Sequence, residues 1–143
     1  MIKRTTSDGH FSDCIRIRED YTCEHCKTHI PEGERKAAQC AHIISRKFNS
    51  VRHDPDNACM LCASCHAGFG DDPVIFNRWL VEHLGDSHLD KLQQKKERIM
   101  KGFKKEEKER SAHYLKEFRR MTALRNDGFQ GRIEFRGYYD EWN

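Results

Sequence analysis

The clearest periodicity in the chain lies between Asp72 and Gly85. Phe76, Trp79, Leu80, His83 and Leu84 recur at helical spacing and form one apolar stripe. Asp72 suits the cap, Pro73 the first helical position and Gly85 the stop, so a helix is predicted over residues 73–84. The stripe is expected to pack on a core, with His83 as a satisfied core histidine rather than a ligand. Upstream, FSDCIRIRED at residues 11–20 predicts a short helix capped by Ser12 and burying Cys14, Ile15 and Ile17. Residues 1–9 read as a flexible lead-in, and Cys14 as a small buried hydrophobe.

Residues 36–44 alternate weakly and predict a first strand, with Cys40, His42 and Ile44 on one face and Ala41 and Ile43 on the other. Residues 45–56 follow as a polar loop rich in Arg and Lys. Residues 57–61 predict a second strand and residues 63–69 a short helix. Residues 89–124 then form a long helical stretch without Pro. Leu89, Leu92, Ile99 and Phe103 mark one side of it, and Tyr114, Leu115, Phe118 and Met121 resume it. Between them KKEEKERS, residues 104–111, has no apolar residue, so a helix there is solvated, a hinge, or laid against a charged partner. The tail, with glycines around GRIEFRGYY, fits a hairpin or an interaction segment. The pattern is of the α+β class: a small strand-loop-strand-helix core over residues 10–85, a long, largely helical basic extension over 86–125, and a tail over 126–143.

Charged residues make up 34 % of the chain and hydrophobic ones 36 %, so the core is modest and needs a staple. The opening MIKRTTSDGH predicts no secretory leader, and no apolar run approaches the roughly 18 residues of a membrane span. A cytoplasmic location follows as the expectation, and there paired cysteines more often hold zinc than each other. The net charge of +3 is unevenly spread. Residues 86–121 carry 12 Lys and Arg against 7 Asp and Glu, leaving the rest slightly acidic. A basic segment on a near-neutral body points to a polyanionic partner, most simply DNA.

Cys23 and Cys26, and Cys62 and Cys65, are two pairs each separated by two residues. Together they can make one tetrahedral zinc with no open position, a structural ion whose binding energy becomes folding energy. Cys59 and Cys62 share the same spacing, but Cys59 falls within the second strand, which favours 62 and 65. His25 and His29 lie near enough to compete as ligands but read better as exposed loop residues, and a pair of disulfides is the alternative use of the thiols. Pro31-Glu32-Gly33 is a turn that ends the first pair's loop.

Phosphodiester hydrolysis needs a base to deprotonate water and a cation to stabilise charge on the phosphate. His42 can act as that base near neutral pH. His66 adjoins Cys65, so a zinc site fixes its backbone and aims its ring at the first strand, which suits a ligand of a catalytic divalent ion. Asn57 is placed to bond backbone groups of the long loop and hold His42, and Arg46 to grip a phosphate. Further contacts to nucleic acid are expected from Lys47, Arg52, Lys95, Lys96, Lys104 and Lys105, with the two imidazoles converging on the scissile phosphate.

These residues carry a family resemblance. AHIISR followed by DNACMLCASCH resembles the HNH, or ββα-metal finger, nucleases. Residues 21–85, about half the chain, include QCAHIISR, Arg52-His53-Asp54 and DPVIFNRWLVEHLG, and resemble the phage NinG-type (Rap) recombination endonucleases more closely. The plan is also similar to that of the phage recombination endonuclease VII group, where two CxxC pairs bind zinc and the residue after the last Cys binds the catalytic metal. The resemblance implies that His42 is the general base, Asn57 the structural Asn, and His66 the ligand of Mg²⁺ or Mn²⁺. It further implies products ending in 5′-phosphate and 3′-hydroxyl, branched recombination DNA as substrate, and a phage-encoded enzyme acting in a bacterial host, with a homodimer as one arrangement. One position departs from the pattern: Ala41 stands where many HNH nucleases carry a second metal ligand, Asp or His. Cys40, His53 and Asp54 are the nearby donors available in its place. The alternatives are a catalytically impaired zinc module that binds nucleic acid, and a purely structural zinc-ribbon protein.

Overall fold

The computed structural model describes residues 2–140; Met1 and the last three residues of the predicted tail lie outside the described residues. The architecture is α+β, with a two-stranded antiparallel sheet between two helical layers. Strand β1 (Ala38–His42) pairs with β2 (Ala58–Cys62) in the register Ala38↔Cys62 to His42↔Ala58. Alternation gives each face its own core. Ala38, Ala58 and Met60 join the cluster that contains Phe11, Cys14, Ile15, Tyr114 and Met121. Ala41, Cys59 and Leu61 join the opposite cluster with Cys23, Phe69 and Leu80.

Helix α1 (Thr6–Arg18) starts earlier than the predicted residues 11–20. Thr5, not Ser12, is the cap: Asp8 N–H donates to its hydroxyl, and Thr5 N–H donates back to the Asp8 carboxylate at 2.8 Å. That reciprocal pair is legible in Thr5-x-x-Asp8, and it turns most of the expected lead-in into a helix end. Asp8 also reaches inward. Its carboxylate accepts from His53 Nε2 at 2.8 Å and from Arg52 Nε at 2.9 Å. Burial pushes the carboxyl upward, but the bonds from His53, Arg52 and Thr5 outweigh it and hold it well below the usual carboxylate range. A lowered folded value means this contribution is complete above about pH 4 and lost as pH falls further. Asp8→Asn is expected to cost about 3–5 kcal/mol in urea denaturation near pH 7, because Arg52 would be left buried and unpaired.

The loop over residues 45–56 is more ordered than its polar sequence implies. It contains the short helix α2 (Asn49–Arg52) and a 3₁₀ turn (Pro55–Asn57), and buries Val51, Arg52 and His53. Helix α3 (Ala63–Asp71) follows β2 directly, and α4 (Pro73–Leu84) has the predicted ends: Asp72 accepts from Ile75 N–H, and Gly85 closes it with φ of 87°. Phe76, Trp79, Leu80 and Leu84 pack on the second cluster. His83 stacks on Trp79 and lies 2.8 Å from Glu24 Oε1, so it is satisfied.

The long basic arm is not a single extension. It breaks into α5 (Asp86–Lys96), a connector with Gly102 at φ 77°, a 3₁₀ turn (Phe103–Glu106) and α6 (Glu107–Asn126). Helix α6 returns against α1 and supplies Tyr114 and Met121 to the first cluster, with Phe118 and Leu124 beside them. KKEEKERS is held without apolar burial: Arg110 is 1 % exposed, stacks 3.7 Å over Phe103 and donates to the Phe103 carbonyl. The tail forms no hairpin among the described residues. It runs as an extended segment that inserts Ile133 and Phe135 into the first cluster, with Ile133 N–H on the Arg18 carbonyl. Thus residues 107–135 complete the core instead of trailing from it. Among the described residues no helix is long and apolar enough to cross a membrane.

Candidate metal centre and neighbouring histidines

The Sγ atoms of Cys23, Cys26, Cys62 and Cys65 all lie within 4.8 Å of one another. Cys26 and Cys62 Sγ are 3.7 Å apart, close to the roughly 3.8 Å edge of a tetrahedron with metal–sulfur bonds of about 2.3 Å. Four sulfurs at that spacing fit a zinc ion and leave no position for a fifth protein donor. The first pair sits on a tight turn in which Cys23 N–H bonds the Thr28 carbonyl and Lys27 N–H the Cys23 carbonyl. Lys27 takes φ of 65° to make it. The second pair opens α3, where Cys62 Sγ accepts from Cys65 N–H as the helix cap. Glu24 locks the two halves together, its carboxylate accepting from Met60 N–H at 2.6 Å.

Hydrogen bonds from Thr28, first from its side chain and then from its backbone, pull the Cys26 thiol down to about 6. Burial, then the sulfurs of Cys62 and Cys26, push the Cys65 thiol well up. A cation is what allows such crowded thiolates to ionise together. Cys59 and Cys14 stay outside the cluster, both buried and both pushed up first by burial. His25 is not a fourth-ligand substitute in this geometry: its Nδ1 lies 3.2 Å from Cys65 Sγ, and its ring packs on Phe69 and Trp79. His29 instead pairs with Thr22 in an isolated bridge.

His42 is the last residue of β1. Its Nε2 lies 2.9 Å from the Arg52 carbonyl, which can only accept, so the proton is on Nε2 and Nδ1 keeps its lone pair. Burial lowers its pKa, partly offset by that same bond, which favours a neutral ring. Asn57, fully buried, accepts from Ile44 N–H at 2.8 Å and donates to the carbonyls of Ile44 and Val51. It ties the chain just after His42 to the loop that supplies the Arg52 carbonyl. Asn57→Ala would strand the buried N–H and carbonyl of Ile44, while the Val51 carbonyl keeps the Asp54 N–H. A loss of about 3 kcal/mol is expected in chemical denaturation, with zinc content unchanged.

His66 Nδ1 lies 2.6 Å from Gln39 Oε1, so the ring is turned toward β1. Gln39 and His42 leave opposite faces of β1. His42 shares its face with Cys40 and lies against Phe11 of α1, whereas Gln39 and Ala41 occupy the α3 side. Ala41 is 1 % exposed and offers no donor atom.

Compared with protein-family models, curated proteins and solved structures, this chain matches none. The site must be read from its own chemistry.

Several expected nucleic-acid contacts are engaged internally. Arg52 is buried on Asp8, and Lys95 Nζ pairs with Asp54 at 2.9 Å. His53 Nε2 is committed to Asp8 while its Nδ1 is buried without a hydrogen-bond partner, and Asp54 caps the 3₁₀ turn and pairs with Lys95. Lys47 and Lys96 lie over the Phe48 ring at 5.1 and 4.6 Å. Arg46 is partly exposed, 3.9 Å from Asp8 and bonded to the Ile2 carbonyl. Lys47, Lys104 and Lys105 present exposed side chains. Gln39, Glu24 and Thr28 are the positioning residues that sequence reasoning missed. Each is polar on a short segment, and none has a spacing that marks it.

Proposed function

We propose that the chain is a divalent-metal-dependent endodeoxyribonuclease of the HNH, or ββα-metal, type. The observation that carries the reading is the state of His42: a neutral ring, its Nε2 proton committed to the Arg52 carbonyl and its Nδ1 lone pair available, at the end of a strand fixed by the cysteine cluster. Nδ1 is the atom that would take a proton from water. Asn57 keeps the Arg52 carbonyl at that distance, and Arg46, partly exposed four residues on, is the cation best placed to meet a phosphate.

The four cysteines would hold a structural zinc, and His66 through Nε2 would hold Mg²⁺ or Mn²⁺. Such an ion, when bound, stabilises charge on the phosphate and on the departing oxygen. The resemblance to phage recombination nucleases directs the substrate choice to branched DNA, with 5′-phosphate and 3′-hydroxyl ends.

A second reading has its own support. Ala41 gives the α3 side no second donor, as a zinc module that binds nucleic acid without cutting it would allow. One panel separates the two: four-way junction, single strand, nicked and linear duplex, each with Mg²⁺ and Mn²⁺. Cleavage of the junction ahead of linear duplex is the expected result. Binding that weakens steeply with salt, with every substrate left intact in both metals, would replace the nuclease by the binding module.

A further inference from the structure

We infer that Gln39 is the positioning residue that sets which nitrogen of His66 is offered to a divalent cation; this rests on the nuclease reading only for the cation's purpose. Gln39 lies on the α3 side of β1, opposite Leu61 in the register. Its amide orientation is determined from both ends. The NH₂ group donates to the Lys36 carbonyl at 2.8 Å, which leaves Oε1 facing His66 Nδ1 at 2.6 Å. An amide oxygen accepts and cannot donate, so the imidazole proton is on Nδ1. The lone pair is on Nε2, the nitrogen remote from the strand.

A free imidazole in water prefers the opposite tautomer, with its proton on Nε2. The relay from the Lys36 carbonyl through Gln39 to His66 therefore reverses an intrinsic preference before any ligand arrives. Nothing else on that face of β1 can do this: Ala41, the next side chain on it, is a methyl group. Outer-sphere partners of this kind fix a metal-binding histidine's tautomer and orientation, and losing one typically weakens metal affinity about 10–100-fold. With Ala41 contributing no donor, the pre-set tautomer of His66 carries a larger share of the recognition.

The test uses the full-length, zinc-loaded protein. Long-range ¹H–¹⁵N spectra without added divalent cation should show His66 with its proton on Nδ1. Gln39→Leu should move it toward Nε2, and Gln39→Glu, which keeps an acceptor, should restore the parent pattern. Titration with Mn²⁺ followed by electron paramagnetic resonance should show affinity about 10–100-fold weaker in Gln39→Leu, with Gln39→Glu close to parent. A His66 tautomer unchanged in Gln39→Leu overturns the inference. So does parent-like Mn²⁺ affinity in Gln39→Leu when His66→Ala has lost it. Mn²⁺ binding that survives His66→Ala removes the metal assignment of the nuclease reading, and the role of Gln39 toward a cation with it. Loss of cleavage alone, with tautomer and affinity responding as expected, sinks only the nuclease reading.

Discussion

Stripping the metal from the four cysteines is expected to abolish cooperative unfolding of the chain, not merely lower its melting temperature. The sheet has five residue pairs, and each of its faces supports a separate small cluster. Cys23 and Cys26 belong to a loop, Cys62 and Cys65 to the end of β2 and the start of α3, and an ion held by all four would join them beside the Glu24–Met60 bonds. The apparent binding energy of a structural zinc at neutral pH is about 10–16 kcal/mol. The whole stability of a domain is about 5–15 kcal/mol. Its loss therefore removes as much free energy as the fold has to lose. The first cluster does not survive by itself, because Ala38, Ala58 and Met60 of the sheet are part of it. Circular dichroism melts before and after chelation, with metal content measured, decide the matter. Cys62→Ser should behave like the chelated protein, while Cys59→Ala should retain one zinc per chain and a cooperative, lowered melt. An unchanged melt after verified metal loss would refute the staple.

The parts of this molecule that could be read in sequence are those with local causes. The α4 helix was legible because Asp72, Pro73 and Gly85 punctuate it and its stripe needs only one surface to cover. The cysteine pairs were legible because their spacing is imposed by the turn that presents two sulfurs to one ion. What could not be read depends on pairs distant in the chain. Arg110 looked like one charge in a solvated run, yet it is buried by Phe103 and Tyr139. Arg52 looked like a phosphate contact, and Asp8, 44 residues earlier, claims it instead. The tail's alternation suggested self-pairing, but Ile133 and Phe135 find α1 and α6. That Gln39 and His42 leave opposite faces of β1 was present in its alternation, but the contact of His66 with Gln39, 27 residues away, was not.

His42→Ala is expected to slow cleavage by about 10²–10⁴-fold, the range that a positioned base contributes, with zinc content and melting nearly unchanged. The pH dependence gives the sharper signature. Burial, the largest influence on this ring, pulls its pKa below the usual histidine value, and the Arg52 carbonyl only partly restores it. A base acts in its neutral form, so the rate should rise with pH through this depressed value and be flat above about pH 6.5. The same group leaves a mark on stability. Between the folded and unfolded values the unfolded chain holds more protons, so its contribution is complete above about pH 6.5 and declines as pH falls toward the folded value. In His42→Ala both the acid limb of the residual rate and this part of the stability profile should flatten together. A variant that cuts as fast as the parent would remove His42 from the chemistry. One that loses activity but keeps the parent's acid limb would assign the proton transfer to another group.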